Sequence, residues 1–376
     1  MSGRCVIRLA VAGLLVSAGR APAQPDKPPS PLPAEVVAAW KEAGAKVGWM
    51  KSGGQSPSVT EDEYSGRGQG QPGDIPAFRI ALLKKGPTPQ AIALDKLPPP
   101  PSAFGITFWL SLVEDSGLRG LGGMKSLQSL TLGAKMTDAG LKELAGLTAL
   151  QNLRCHNVTD AGLKELAGLT ALQTLDISGA NITGAGLKEL AGLKSLRRLS
   201  LSRSKVTDAA LQELAGLTAL QSVSLVFADG MTDAGLKGLS GLKSLQYLNL
   251  TYSNVTDAGL KELTGLTTLK HLDLTYTKVT GAGLKELAGL PALQHLGVSG
   301  PSVTDKVLKD LSAMKSLQTL DLTDTPVTGA GLKGLAGLKS LKKLQLSRCP
   351  KVTAKAVADA KKALPGVEII QVVDDP

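Results

Sequence analysis

Aromatic side chains are scarce in this chain of 376 residues, which has only three Trp, four Tyr and four Phe. Its apolar content is therefore aliphatic, and its 42 Lys and Arg are not interleaved with aromatics as they would be on a nucleic-acid-binding face. Histidine is equally rare, at three residues, and none stands in a nucleophile motif. No Gly-x-Ser-x-Gly, P-loop, dinucleotide fingerprint, Cys-x-x-Cys or His-Glu-x-x-His occurs, so the common hydrolytic, phosphoryl-transfer and zinc chemistries lack their residues. Cysteine also numbers three. Cys155 and Cys349 lie eight repeats apart, roughly 38 Å at the spacing of neighbouring strands, and a disulfide needs ~5.5 Å. The only long apolar run, Leu9–Ala18, is too short to span about 30 Å of hydrocarbon as a helix, so no integral membrane protein is expected.

What is abundant is Leu and Gly in a fixed pattern. Leu-x-x-Leu-x-Leu followed by Val-Thr-Asp-Ala-Gly-Leu-Lys-Glu-Leu-Ala-Gly-Leu recurs from Leu127 almost to the C-terminus. Its Thr falls at Thr137, Thr159, Thr183, Thr207, Thr232, Thr256, Thr280, Thr304, Thr328 and Thr353, in steps of 22 to 25 residues. A period in the twenties with Leu at these offsets predicts a leucine-rich-repeat solenoid of the α/β class. A parallel sheet would line the inner face of the horseshoe, with helices on the outer face.

The segments outside the repeats read as follows. Arg4 and Arg8, the apolar core and Ala21-Pro22-Ala23 form a secretory signal over 1–23, with Gln24 expected as the mature N-terminus. Losing it, with Arg4, Arg8 and Arg20, lowers the formal charge from +10 to about +7. Cys5 precedes the apolar core and is misplaced for a lipid anchor. Residues 24–33 form a Pro-rich linker. Residues 34–102 are expected to form a small α+β N-terminal cap. Within it lie a helix from Ala34 to Ala43, strands at Val47–Met50 and Phe78–Leu83, and a short helix at Gln90–Leu97. The solenoid occupies 103–376. It opens on a degenerate repeat at Asp115-Ser116-Gly117-Leu118 and closes on a strand at Val367-Glu368-Ile369-Ile370.

Within a repeat, period two places Leu272 and Leu274 inward and His271, Asp273 and Thr275 outward. Thr280 is expected to cap the following helix, with Val279 and Leu284 as a hydrophobic staple. Asp at the next position, as at Asp257, would oppose the helix dipole. Gly289, like Gly146, Gly168, Gly192, Gly216, Gly241, Gly265 and Gly337, is expected to end its helix in the left-handed conformation. Small residues after the strand (Ala180, Ser204, Ser253, Thr277, Thr325, Cys349) would form a hydroxyl ladder.

These blocks, over about Phe104 to Val373, resemble the Thr-Asp-Ala-Gly-Leu class of leucine-rich-repeat proteins of secreted bacterial chains. They are also similar to the repeats of F-box leucine-rich proteins, and Leu32-Pro33-Ala34-Glu35-Val36-Val37 resembles the opening of an F-box. The first resemblance implies a binding surface. The second would imply a ubiquitin-ligase adaptor, which the signal peptide argues against.

Variation concentrates on the predicted inner face, while outer Lys-Glu pairs such as Lys261-Glu262 and Lys285-Glu286 repeat monotonously. Phe227, Tyr252 and Tyr276 occupy one place in adjacent repeats, and His271 and His295 another. With Tyr247, Asn249 and Asp273 they form a candidate ligand-binding patch, since amphipathic rings suit interfaces. Stacked rings supporting the loop edge are the plainer alternative. A metal site on His271, His295 and Asp273 lacks a complete ligand set, so no metal and no cofactor is expected. The chain reads as a non-enzymatic, exported, monomeric scaffold binding a protein partner. Alternatives are a glycan or cell-surface polymer binder and a structural envelope component.

Overall fold

The computed structural model describes residues 30–51, 74–80, 93–108, 114–133, 135–179 and 181–371. The expected signal sequence, most of the expected Pro-rich linker, residues 52–73 and 81–92, Trp109, Ala180 and the last five residues lie outside them. Among the described residues a single 14-stranded sheet follows chain order throughout. Its strands are β1 (Lys46–Lys51), β2 (Asp74–Ile80), β3 (Phe104–Phe108), β4 (Leu127–Thr131), β5 (Asn152–Arg154), β6 (Thr174–Asp176) and β7 (Arg198–Ser200). They continue as β8 (Ser222–Ser224), β9 (Tyr247–Asn249), β10 (His271–Leu274), β11 (His295–Val298), β12 (Thr319–Asp321), β13 (Lys343–Gln345) and β14 (Glu368–Ile370). Only β1 and β2 pair antiparallel; the rest of the sheet is parallel. The predicted solenoid is therefore present, and its core is the stacked inward Leu of successive strands, such as Leu248, Leu272 and Leu296, each fully buried.

The expected helix Ala34–Ala43 is found as Ala34–Glu42. Trp40 on it is buried, stacks on Phe78 at a 4.0 Å centroid distance and donates its indole N–H to Pro98 O at 3.1 Å. Trp40 thus plugs the start of the sheet and offers no surface to a ligand. The expected helix Gln90–Leu97 lies partly outside the described residues, and its described part holds a 3-10 turn at Leu94–Lys96.

The outer elements are shorter than a continuous helix. Most are a turn or two of α-helix or 3-10 helix, such as Asp138–Leu141 continued by Lys142–Leu144, and the last, Ala354–Ala363, is longer. The repeat Asp does more than face a helix dipole. Asp233 Oδ1 accepts the Thr256 amide at 2.8 Å and its Oδ2 accepts the Thr256 hydroxyl at 2.6 Å. The same clamp joins Asp115 to Thr137, Asp138 to Thr159, Asp160 to Thr183, Asp208 to Thr232, Asp257 to Thr280 and Asp305 to Thr328. Thr256 Oγ1 also accepts from the Ala258 amide at 3.2 Å, so cap and clamp share one hydroxyl. Thr280, by contrast, makes no cap hydrogen bond. Gly281 after it has φ +103°, and the 3-10 turn begins only at Leu284.

A second rule accompanies the clamp. Wherever Asp starts one repeat's turn, the following repeat carries Gly two positions beyond the aligned residue: Gly140, Gly162, Gly186, Gly235, Gly259, Gly283 and Gly331. A Cβ there would come closer than 3.0 Å to the preceding Asp. Where the first residue is instead Gly184, Gly281 or Gly329, the following repeat carries Ala210, Val307 or Ala356, whose side chain fills the vacated space. All ten described junctions obey this exchange of bulk.

Two local expectations are corrected. The helix-end glycines are not left-handed; positive φ occurs elsewhere. The carbonyls of Gly146, Gly216, Gly265 and Gly337 instead accept the ammonium groups of Lys125, Lys194, Lys243 and Lys315 from the preceding repeat, at 2.9 to 3.3 Å. Cations there suit the negative ends of the turns. The hydroxyls after the strands do not form a ladder either. Ser204, Thr277 and Thr325 each close on a carbonyl three residues back, and only Thr325 and Cys349 approach across repeats, at 3.5 Å.

Two outcomes follow from this packing. Gly259→Ala, which elsewhere in a helix would stabilise by up to about 1 kcal/mol, is expected to destabilise by ~1–3 kcal/mol because its methyl displaces the Asp233 carboxylate. Adding Asp233→Gly should recover at least ~1 kcal/mol of the summed losses in a double-mutant cycle measured by urea unfolding. Cys155 and Cys349 are buried and free. Burial, with Asp176 and Asp138 nearby, pushes the Cys155 thiol well above its ordinary range. Thiol titration should therefore find both unreactive in native protein and both reactive after unfolding.

Candidate functional site

Side chains of the exposed sheet face fall into rows because the parallel strands are in register. The first row runs Ser222, Tyr247, His271, His295, Thr319, Lys343. The second runs Ser224, Asn249, Asp273, Gly297, Asp321, Gln345. A third, from the residue after each inward Leu, includes Thr251, Thr275, Ser299 and Thr323. A fourth follows directly, where each strand turns away: Asn157, Gly179, Arg203, Phe227, Tyr252, Tyr276, Gly300, Asp324 and Arg348. Every residue of this fourth row has φ between +53° and +113°. The left-handed turn expected at the helix ends therefore lies at the strand exits.

The eight residues of the predicted patch are brought together, as two stacked columns with a polar floor. In the fourth row Phe227 stacks on Tyr252 at 4.2 Å and Tyr252 on Tyr276 at 4.4 Å. Arg203 covers the outer face of Phe227, its guanidinium carbon 5.8 Å from the ring centroid. In the first row Tyr247 stacks on His271 at 4.4 Å and His271 on His295 at 3.9 Å, the imidazoles within 2° of parallel. Between the columns Asn249 Oδ1 accepts the Thr251 amide at 2.9 Å, and Asp273 Oδ1 accepts the Thr275 amide at 2.9 Å. These bonds hold the strand exits in shape.

The expectation of freely exposed anchors needs correction. Most of the patch is half-buried, and His271, sandwiched between two rings, is only 7% exposed. Its Nδ1 has no hydrogen-bond partner. Parallel imidazoles direct their lone pairs side by side and not toward a common point, so they suit no shared metal. Among the described residues no group of three or more His, Cys, Asp or Glu is placed to hold one. Burial, then the neighbouring His295, pushes the His271 imidazole down to about 3. Burial also lowers His295, with Asp273 opposing and Lys343 assisting. Neutral stacked imidazoles with such depressed basicity are poor general bases at neutral pH.

Sequence reasoning missed the end of the fourth row. Gly300 leaves a gap there, and Tyr276 reaches across it. Its hydroxyl donates to Asp324 Oδ2, two repeats away, and accepts from Arg348 Nη2 at 2.5 Å. Arg348 also grips Asp324 through Nε at 2.7 Å and Nη2 at 2.5 Å. Although partial burial opposes it, donation from Arg348 and Tyr276 holds the Asp324 carboxyl below its usual range. Burial and the Asp324 carboxylate raise the Tyr276 phenol. Asp324 and Arg348 share the spacing of Tyr252 and Tyr276 from the preceding Leu. Aligning that position in every repeat would have found them.

A leucine-rich-repeat region model matches residues 119–313, and a leucine-rich-repeat model matches 313–336. The first covers more than half of the chain. The chain belongs to the leucine-rich-repeat family. No curated protein matches the sequence. Among solved structures, an internalin from Listeria monocytogenes is similar, with a TM-score of 0.51, 20% identity, and coverage of 80% of this chain and 87% of the internalin. Internalin C2 of the same organism matches 62% of this chain and 83% of its own, with 21% identity and a TM-score of 0.37. At such identity the first likeness concerns the repeat fold alone. No helix among the described residues is long and apolar enough to cross a membrane.

The histidine stack sets a pH dependence. His271 binds its proton in the unfolded chain near the ordinary 6.5 but in the native chain only at about 3. Below 6.5 the unfolded state holds more protons, so native stability is full above that pH and is lost as pH falls toward 3. Between pH 6.5 and 5 the loss should approach about 1.4 kcal/mol per pH unit from this residue. Urea midpoints at pH 7 and 5.5 should differ in wild type and differ less in His271→Tyr, which keeps a stacking ring.

Proposed function

We propose that this leucine-rich-repeat protein is a non-enzymatic, exported recognition scaffold that binds a protein partner on the inner sheet face, between the two aromatic columns. The observation that carries the reading is the backbone conformation of Phe227, Tyr252 and Tyr276, held at φ 56°, 57° and 56°. Bulky residues there cost ~1–2 kcal/mol each. Gly179, Gly300 and Asn157 fill the same place without that cost. The two stacked pairs contribute ~0.5–1.5 kcal/mol each, which offsets only part of that strain. Stability alone therefore gives little reason for three successive aromatics at this position, whereas interfaces favour them.

Ring geometry favours a protein over a glycan. Sugars stack on aromatic faces, but here the inner faces of both columns are turned onto neighbouring rings, and Arg203 covers the Phe227 end of one. Ring edges and the Tyr252 hydroxyl remain for a partner. Export rests on the leader-like sequence of residues 1–23 and is tested by N-terminal sequencing of protein recovered outside the cytoplasm, expected to begin near Gln24.

Binding is tested with Tyr252→Asn and Tyr276→Asn together, since Asn tolerates the left-handed backbone. The immobilised wild-type and variant proteins are exposed to the exported fraction of the source cell, and retained proteins are quantified by mass spectrometry. The partner retained by wild type should bind the double variant at least tenfold more weakly, at nearly unchanged melting temperature. A Lys261→Ala, Lys285→Ala variant of the outer surface should retain it fully. Equal retention by the tyrosine variant places binding elsewhere.

A further inference from the structure

The exposed sheet face and its exit row hold four aspartates over β6 to β13, and they divide into two kinds. Asp176 is paired with Arg154 at 2.8 Å, and Asp324 with Arg348 at 2.5 Å. Asp273 and Asp321 have no ion-pair partner among the described residues, although the chain as a whole carries a formal charge of +10. Both are half-buried, and they stand in the same row on either side of Gly297. Their backbones are two strands apart, about 10 Å.

The strand between them carries no side chain at two of its four exposed positions, keeping His295 and Ser299. β11 places Gly297 in the second row and leads to Gly300 in the fourth, where neighbouring repeats carry Asp or Tyr. A Cβ at Gly297 would lie 2.8 Å from Asp273 Oδ1 and 2.9 Å from Thr275 Oγ1, so the Asp273 carboxylate leans into the space that glycine leaves. On the other side Thr323 holds Asp321 Oδ1 through its amide at 2.9 Å and its hydroxyl at 2.5 Å. Burial, reinforced by the charges of Asp273 and Asp324 and opposed by the Thr323 bonds, raises the Asp321 carboxyl above its usual range. Its charge is thus incompletely compensated from within the protein. Lys343, in the first row of β13, is the nearest basic neighbour on the adjoining strand, and it forms no ion pair with Asp321.

A second observation points the same way. His271 is on the first row of this face, its ring is buried, and its Nδ1 lacks any hydrogen-bond partner. Such a buried, unsatisfied group calls for a partner beyond the protein's own side chains, a water or a group of a bound molecule. Tyr247 and Tyr252, one in each aromatic column, are five residues apart, so the trough between the columns is at most roughly 16 Å across at its backbone, and less for the turn at Tyr252. An extended segment, or one helix of about 10–12 Å diameter, fits this width.

We infer that the trough docks a basic segment of a protein partner, with a lysine or arginine side chain seated over Gly297 between Asp273 and Asp321 and the aromatic columns flanking its backbone. This rests on the scaffold reading above and names the chemistry of the partner. A cation there would neutralise two half-buried carboxylates that are otherwise unmatched, an arrangement stronger than a pair at the rim.

The test pans a random twelve-residue peptide display library on the full chain and titrates the selected peptides by fluorescence polarisation. Selected peptides should contain Lys or Arg, and exchanging that residue for Gln should weaken binding at least tenfold. Asp273→Asn with Asp321→Asn should do the same at an unchanged melting temperature. Asn keeps the turn bond to the following amide, as Asn249 does naturally one repeat earlier. Gly297→Ala, whose methyl narrows the seat and pushes the Asp273 carboxylate aside without removing either charge, should also weaken binding, and Asp310→Asn on the outer surface should not. Peptides without basic residues that still lose binding with the Tyr252→Asn, Tyr276→Asn variant would overturn this inference and leave the scaffold reading standing. Peptides indifferent to every trough variant, or a library that yields no binder, would overturn both.

Discussion

The Asp–Thr clamp is the contact on which the rest of this molecule depends. A solenoid has no long-range closure, so each repeat is positioned only by its neighbours. Inward Leu side chains drive stacking, but hydrophobic burial is non-directional and does not fix the offset between two repeats. The carboxylate does so, because it must meet both the amide and the hydroxyl of the next Thr. The exchange of bulk beside it, Asp against Gly or Gly against Ala or Val, reinforces the same offset sterically. With that offset repeated, the strands stay in register from β4 to β14 and the exposed side chains form straight rows.

Straight rows are what make the aromatic columns possible. Rings on adjacent parallel strands can stack only if their backbones are in register and about one strand spacing apart. The observed centroid distances of 3.9 to 4.4 Å are slightly shorter than the roughly 4.8 Å between strands, so the rings lean together. The leaning buries the faces and leaves edges, hydroxyls and the polar floor for contact. For the proposed recognition role, rigidity of this kind would lower the ordering cost of binding, since the rings are held in place beforehand. The Tyr276–Asp324–Arg348 bridge extends the fixed edge past the gap at Gly300, which would otherwise end the column.

Much of this was legible in the residues. The fixed offsets of Leu, Thr and Gly specify the strand, the turn and the return. The aromatic patch could be read from its equivalence across Phe227, Tyr252 and Tyr276 and across His271 and His295. Other features were not legible at the level of a single repeat. Asp257 looks like a residue serving its own turn, and its partner Thr280 lies 23 residues on. Gly289 looks like a left-handed helix stop, yet the left-handed residue is the bulky one at the strand exit, which propensity would assign last. His271 reads as an exposed polar residue, and becomes buried only because rings from both neighbouring strands close over it.

The amino-acid order by itself thus determined the architecture, because a repeat that cannot bury its own Leu face must stack on a copy of itself. It also determined which rows vary. Tertiary structure decided what those rows become: which carboxylates find an arginine and which do not, which rings lose their faces to one another, and which carboxylate leans over a glycine of the next strand. These outcomes depend on contacts between residues one or two repeats apart. They are set by the strand spacing and the tilt of each side chain, quantities that the sequence pattern of one repeat does not contain.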